Sequence, residues 1–162
     1  MIDKNYERTL NLAFRMLGRQ ARSVGQLREK LEEKSTASSE IIERVIKRLL
    51  ELGYLNDEKF AFQYATNKLN IKALGRSRLQ RTLTQKQVPS EVAKKALNDV
   101  FAEQDESELC ATALSKYIRI HGKPKDAKEN KKLFSHLIRL GFSYDLAVKQ
   151  IRLVGEIEID EE

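Results

Sequence analysis

Cysteine, histidine and tryptophan are scarce in this sequence of 162 residues, which has one Cys, two His and no Trp. A single cysteine, Cys110, excludes an intrachain disulfide. Because no histidine motif lies near it, Cys110 is expected to be a buried apolar residue rather than a nucleophile. His121 and His136 do not have a spacing that metal ligands use, so the sequence predicts no metal site.

Long apolar runs and catalytic motifs are missing as well. No stretch approaches the roughly 20 apolar residues that span a bilayer, and the first residues lack the apolar core of a signal peptide. A cytoplasmic protein is therefore expected. Neither GxxxxGK followed by Ser or Thr nor GxGxxG occurs, and there is no GxSxG serine elbow. These absences predict that the protein is not an enzyme.

Apolar residues recur with the period of a helix, and one such stripe occurs three times, at separations of 51 and 54 residues. A pair of leucines four residues apart precedes each stripe, and a further helix-like run opens each copy. The pattern predicts three helices per copy. The stripes are Ile41, Ile42, Val45, Ile46, Leu49 and Leu50, then Val92, Ala93, Ala96, Leu97, Val100 and Phe101, then Leu146, Ala147, Gln150, Ile151 and Val154. The leucine pairs are Leu27 and Leu31, Leu79 and Leu83, and Leu133 and Leu137.

The predicted fold is all-α, with three tandem three-helix repeats that form a curved, elongated array. Each three-helix unit is too small to bury its apolar surface alone, so stacking on its neighbours is expected to bury the rest. The predicted repeats are residues 1–53, 54–103 and 104–155, and an acidic tail follows at 156–162.

Helix boundaries are indicated by turn and cap residues. Gly53 and Gly141 occur where a left-handed residue would end a helix. Ser38, Pro89 and Ser143 occupy one aligned position just before a predicted helix, where a cap or first-turn residue belongs. Either Asn56 or Asp57 is expected to cap the first helix of the second repeat.

Acidic residues are distributed unevenly along the chain. The formal net charge is +6, but residues 156–162 hold five of the 24 acids, which leaves 30 bases against 19 acids, or +11, on residues 1–154. No Asp or Glu occurs in residues 59–90, which contain seven Lys and Arg; we call this stretch the acid-free segment. With this excess of positive charge, residues 1–154 are expected to attract phosphates or an acidic protein surface. The tail either shields this charge or is simply solvated.

The acid-free segment is the strongest candidate for a binding surface. On a helix that begins near Arg76, the core-facing pair Leu79 and Leu83 forces some of the arginines outward. For any single cation, a solvated helix face is the alternative. The candidate partner- or nucleic-acid-binding residues are Lys68, Lys72, Arg76, Arg78, Arg81 and Lys86, with Arg15, Arg19 and Arg22 as an extension.

Aromatic residues are expected to contribute to the core. The chain has six Phe and five Tyr, and most of them fall on the predicted apolar faces. Phe60, Phe62, Tyr64 and Phe101 are therefore predicted to be core residues rather than a platform on which bases stack.

The segment LLELGYLNDEKFAFQYA, residues 49–65, resembles the signature of the RecX family of bacterial recombinase regulators. The resemblance continues through RSVGQLREKL at 22–31, LGRSRLQRTLTQKQVPSEVAKKAL at 74–97 and HLIRLGFSYDLA at 136–147. It implies a small helical protein without a cofactor that binds the filament formed by RecA on single-stranded DNA. It also implies that the protein limits strand exchange and ATP hydrolysis by RecA in recombination and DNA repair.

A nucleic-acid-binding helical module that acts alone is the alternative, since three-helix units resemble helix-turn-helix readers. The resemblance implies the RecA filament as a partner and, as in several family members, DNA in single- or double-stranded form. No membrane partner is expected, and the chain is expected to be a monomer.

Overall fold

The computed structural model describes residues 3–154, and these residues form nine α-helices and no β-strand. The all-helical prediction is confirmed, while the predicted acidic tail lies outside the described residues. Within the described range, no helix is long and apolar enough to cross a membrane. The helices are α1 (Lys4–Arg19), α2 (Val24–Lys34), α3 (Ser39–Glu51), α4 (Asp57–Ile71), α5 (Arg76–Gln85), α6 (Ser90–Glu103), α7 (Glu106–His121), α8 (Ala127–Arg139) and α9 (Tyr144–Val154).

Short polar side chains determine where the helices begin. The Ser23 hydroxyl accepts a hydrogen bond from the Gln26 amide at 3.1 Å, and the Gln26 side chain accepts one from the Ser23 amide, which completes a capping box at α2. Of the two candidates at α4, Asn56 is the cap, because its side chain accepts from the amide three residues later at 3.0 Å. The Asp57 carboxylate instead accepts from the amide of Val24, the first residue of α2, at 2.9 Å.

Three helices end in the same left-handed turn. Gly53 follows the end of α3 with a φ of 78°, and Gly141 follows the end of α8 with a φ of 96°, as predicted. Gln87 adopts a φ of 60° after α5, although no glycine marks this turn in the sequence. After each left-handed residue, the next amide donates to a carbonyl five residues earlier at 2.9–3.3 Å, so the last carbonyls of the helix are satisfied.

The described residues group into two compact units. The N-terminal unit comprises the residues up to Gln63 together with Leu83–Ala96, and the C-terminal unit comprises Tyr64–Thr82 together with the residues from Leu97 onward. Helices α1–α3 pack pairwise in the N-terminal unit, and α7–α9 pack pairwise in the C-terminal unit. Each helix of the middle triplet is divided between the units. The boundaries of three separate repeats therefore stay a prediction.

The leucine pairs predicted from the sequence are all buried, with exposures of 0–1%. In the N-terminal unit, Leu27 and Leu31 pack with the buried residues of α3 in one apolar cluster. The prediction that the four named aromatic residues belong to the core is wrong, since all four are only half-buried. The buried residues of α4 are Ala61, Ala65 and Leu69. The four rings are those of Phe60, Phe62, Tyr64 and Phe101.

Candidate functional site

The acid-free segment covers most of α4 and all of α5, and its cations lie in both units. The nine predicted residues thus form two sets, each within its own unit. Lys68, Lys72, Arg76, Arg78 and Arg81 lie in the C-terminal unit, and Lys86, Arg15, Arg19 and Arg22 lie in the N-terminal unit.

Four of the five predicted cations in the C-terminal unit are exposed. Lys68 lies in the last turn of α4 and Lys72 directly follows that helix, while Arg78 and Arg81 are one turn apart on α5. Within residues 3–154, none of the four forms an ion pair with a carboxylate. Because this part of the chain contains no acid, the four charges create a local positive potential. We call these four residues the cation set.

Arg76 differs from the cation set because it is half-buried, and its guanidinium contacts two side chains of the C-terminal unit. Its Nη1 donates a hydrogen bond to Oδ1 of Asn98 at 2.6 Å, and its guanidinium lies 5.0 Å from the ring centroid of Phe101. The Arg76 backbone amide also donates to Oε1 of Glu106 at 2.9 Å. Glu106 thereby caps α5, whose own first turn has no acid. Arg76 is thus a weaker candidate for a partner contact than the cation set.

Two glycines position the beginning of α5 against the turn after α8. The Gly75 amide donates to the carbonyl of Leu140 at 2.8 Å, and a Cβ atom on Gly75 would lie 2.2 Å from the backbone of Gly141. This backbone contact brings Arg78 beside the end of α8. There, Nη1 of Arg78 donates a hydrogen bond to the carbonyl of Arg139 at 3.0 Å. Arg139 is the last residue of α8, and carbonyls at the end of a helix have no partner within the helix.

The predicted extension in the N-terminal unit is partly buried. Arg15 and Arg19 are exposed on α1, whereas Arg22 is half-buried and its Nε has no hydrogen-bond partner among the described residues. Lys86 is half-buried directly after α5, and its carbonyl accepts from the Ser23 hydroxyl at 2.5 Å. Arg22 lines a cleft of about 360 Å³ whose other walls are Phe14, Leu17, Gly18, Ala21, Gly53, Tyr54, Asn56, Lys59, Phe60 and Gln63.

The sequence analysis missed a cluster of three rings in the C-terminal unit. The Tyr117 ring contacts the imidazoles of both His121 and His136, with centroid separations of 4.4 and 5.0 Å. Burial lowers the pKa of His136, and the nearby positive charges of Arg139, Lys72 and His121 lower it further. Lys72 of the cation set is thus close enough to act electrostatically on His136. We call Tyr117, His121 and His136 the ring cluster.

Helical spacing alone was insufficient to find the ring cluster. Tyr117 and His121 are four residues apart on α7, which places them on one face. Nothing in the sequence indicates, however, that this face meets His136 of α8. Packing of α7 on α8 brings the three rings together.

The remaining reactive side chains do not form a chemical centre in the described part of the chain. Cys110 is fully buried, as predicted, and burial followed by the negative charge of Glu106 raises the pKa of its thiol to about 11. In residues 3–154, no group of three or more His, Cys, Asp or Glu is arranged to hold a metal ion.

Two segments of the chain match one protein family. Residues 10–49 match the family described as "RecX, first three-helix domain", and residues 56–97 match "RecX, second three-helix domain". The regulatory protein RecX of Prosthecochloris aestuarii is 33% identical over 142 residues, which cover 88% of this chain and 90% of that protein. The chain belongs to the RecX family. Other RecX proteins are similar too: that of Chlorobaculum tepidum is 32% identical over 90% of this chain and 87% of its own length.

Solved RecX structures share the fold. The crystal structure of RecX from Lactobacillus salivarius superimposes with a TM-score of 0.85 at 22% identity, and covers 94% of this chain and 98% of that one. Not all RecX proteins have this length, since the chain spans 56% of the regulatory protein RecX of Lactococcus lactis, at 27% identity. The prediction of a repeated helical array in a RecX family member is confirmed.

Proposed function

We propose that this RecX-family protein is a cytoplasmic, monomeric regulator that binds the nucleoprotein filament of RecA on single-stranded DNA. In this proposal it inhibits strand exchange and ATP hydrolysis by RecA in recombination and DNA repair. Family membership supports the regulatory role, since the relatives are named regulatory proteins. The observation that carries the proposal is the cation set, four exposed positive charges that have no ion pair within residues 3–154 and lie in a stretch that contains no acid. A nucleoprotein filament is a polyanion, which such a surface would bind by charge complementarity.

The test is the DNA-dependent ATP hydrolysis of RecA at increasing concentrations of the protein. Inhibition at micromolar protein is expected. A triple variant, Lys68→Gln, Lys72→Gln and Arg81→Gln, is expected to need roughly ten- to hundred-fold more protein, because it loses three contacts of about 0.5–1 kcal/mol each. Arg76 and Arg78 are kept because their guanidiniums have partners inside the unit.

A charge-matched control separates the surface from the net charge. Lys47, Lys94 and Lys149 are exposed and lie outside the acid-free segment. The triple variant Lys47→Gln, Lys94→Gln and Lys149→Gln is expected to inhibit as the unmodified chain does. Equal inhibition by both triple variants would remove the cation set from the proposal, and no inhibition by the unmodified chain would refute the proposed function itself.

A stand-alone nucleic-acid-binding module is the second candidate function. It is favoured by the C-terminal unit, whose described residues contain fifteen Lys and Arg against eight Asp and Glu, a net charge of +7. If this function is the correct one, the chain binds bare DNA tightly at physiological salt and leaves ATP hydrolysis by RecA unchanged when DNA is in excess. If the filament is the target, inhibition persists under those conditions.

A further inference from the structure

The ring cluster offers an accessible aromatic surface in the C-terminal unit. Tyr117 is tilted by 40° to the ring of His121 and by 44° to that of His136. His121 is exposed, and Tyr117 and His136 are half-buried, so none of the three residues is fully enclosed. A core cluster would hide its rings completely. These rings instead border the surface, where a planar ligand can reach them.

Among residues 3–154, the charged groups that act on His136 of the ring cluster are all positive. The charged groups that act on His136 are Arg139 of its own helix, Lys72 directly after α4 and His121 of α7, and all three are basic. Arg78 approaches the same end of α8 through its hydrogen bond to the Arg139 carbonyl. An anion is therefore the complement that this surface lacks.

The two acidic residues nearest to the histidines in the sequence accept hydrogen bonds from backbone amides. Asp126 accepts from the Glu129 amide at 2.8 Å and caps α8, and Glu129 accepts from the Lys125 amide at 2.8 Å. Neither of these carboxylates is among the groups that influence the pKa of His136. No carboxylate orients an imidazole as in a general base, and the histidines are not grouped with further metal ligands in the described residues.

We infer that the ring cluster is a stacking site for an unpaired base of single-stranded nucleic acid, with Lys72 and Arg139 on the adjoining phosphate. A base supplies the planar face that stacks on aromatic rings, and the phosphate supplies the missing anion. In a duplex the faces of the bases are already stacked on one another, so a single strand is the form that fits. This inference deepens the proposed function, on which it rests for the source of the strand.

Proton uptake accompanies binding in this arrangement. In the free protein the surrounding cations and burial favour neutral His136. A phosphate next to Lys72 and Arg139 offsets their charge and raises the pKa of His136, so binding strengthens as the pH falls. We expect the affinity for a single strand to rise by roughly three- to ten-fold from pH 8 to pH 6. The His136→Gln variant is expected to lose this part of the pH dependence.

The experiment uses the imidazole signals of the full chain in NMR spectra, because its only two histidines are both in the ring cluster. The His121→Gln variant assigns the two sets of signals. Addition of a thymidine oligonucleotide is expected to shift both sets by the ring current of the stacked base. An abasic oligonucleotide of equal length is expected to bind more weakly and to cause no ring-current shift of the imidazole signals.

Variants complete the test. Tyr117→Leu is expected to lower the affinity for the thymidine oligonucleotide by roughly 5- to 150-fold, equivalent to about 1–3 kcal/mol of lost stacking. Tyr144→Leu, at an exposed tyrosine of α9 in the same unit, is the control and is expected to bind normally. If Tyr117→Leu does not fold, the imidazole signals of the unmodified chain decide the question.

Three results would overturn the inference: imidazole signals that do not move, equal affinity for thymidine and abasic strands, or equal shifts with a poly-glutamate peptide. The last would indicate an acidic protein as the ligand. The NMR experiment uses bare oligonucleotides and does not depend on RecA. If the protein inhibits RecA but its imidazole signals do not move, the inference is rejected and the proposed function is kept. Shifted signals without inhibition of RecA would support the inference and reject the proposed function.

Discussion

At the scale of single residues, cations that are alike in the sequence differ in their surroundings. Lys72 and Arg81 are exposed without an ion pair in the described residues, whereas Arg76 lies against Phe101 and donates to Asn98. A cation with such partners is expected to contribute to stability, and an exposed one to binding. The count of positive charges in a segment does not make this distinction.

Asp57 allows a test of a single hydrogen bond. Its carboxylate accepts from the Val24 amide, one of the first-turn donors of α2 that would otherwise be unpaired. We expect Asp57→Ala to lower the free energy of unfolding by about 1 kcal/mol. Asp57→Asn keeps an acceptor oxygen and is expected to change it by less than about 0.5 kcal/mol. Urea denaturation at pH 7 measures both.

The charge of Asp57 gives a pH dependence of known sign. Burial raises the pKa of its carboxyl, and this outweighs the opposing effects of the Val24 amide and Arg28. Its contribution to stability is therefore fully present below the pKa of the unfolded chain and declines as the pH rises through the folded pKa. Asp57→Asn should remove this decline. If Asp57→Asn is as unstable as Asp57→Ala at pH 7, the ionised carboxylate rather than the acceptor oxygen is what α2 requires.

At the scale of helices and turns, backbone contacts at helix ends hold the elements of each unit. In the N-terminal unit, the buried Ser23 caps α2 and also donates to the Lys86 carbonyl after α5. In the C-terminal unit, Gly75 before α5 contacts Gly141 after α8. Because side chains would separate the backbones at the glycine contact, the direction of α5 depends on two residues without a Cβ atom.

Gly75→Ala is expected to destabilise the protein by about 1–3 kcal/mol, because the new Cβ atom overlaps backbone atoms that cannot rotate away. Gly18→Ala is the matched control. It lies within α1, and a Cβ atom there meets nothing within 4 Å. This variant is expected to stabilise the protein by about 0.5–1 kcal/mol. Thermal unfolding followed by circular dichroism compares them, and equal stability of the two variants would contradict the glycine contact.

At the scale of the whole molecule, charge is distributed unequally between the two units. The described residues of the C-terminal unit carry a net charge of +7, and those of the N-terminal unit carry +4, from fifteen bases and eleven acids. The cation set and the ring cluster both belong to the more positive unit. Nucleic-acid phosphates are thus expected to be bound mainly by the C-terminal unit.

Salt dependence measures how many phosphates are neutralised by the cation set. For single-stranded DNA, the logarithm of the binding constant falls with the logarithm of salt concentration by about 0.7 per phosphate contact. Lys68→Gln, Lys72→Gln and Arg81→Gln together should make this slope shallower by about 2 between 50 and 200 mM salt. The control with Lys47, Lys94 and Lys149 changed to Gln should keep the slope. Fluorescence anisotropy of a labelled oligonucleotide gives both slopes, and an unchanged slope in the first variant would show that these residues do not contact phosphate.

The sequence by itself determined the helical elements and the family. The period of apolar residues placed the leucine pairs in the core, and left-handed Gly53 and Gly141 end their helices as expected, because helix formation and helix termination depend on neighbours within a few residues. Gln87 was missed because a non-glycine residue in this conformation carries no local sequence signal. The motif at residues 49–65 was sufficient to indicate the RecX family.

Only the tertiary structure decided which charged and aromatic residues are available to a ligand. Arg76 is engaged because Asn98, 22 residues later on another helix, accepts its hydrogen bond. The ring cluster exists because α8 carries His136 to the face of α7 that presents Tyr117. Contacts of this kind depend on how helices pack, and packing joins residues whose separation along the chain leaves no periodic trace in the sequence.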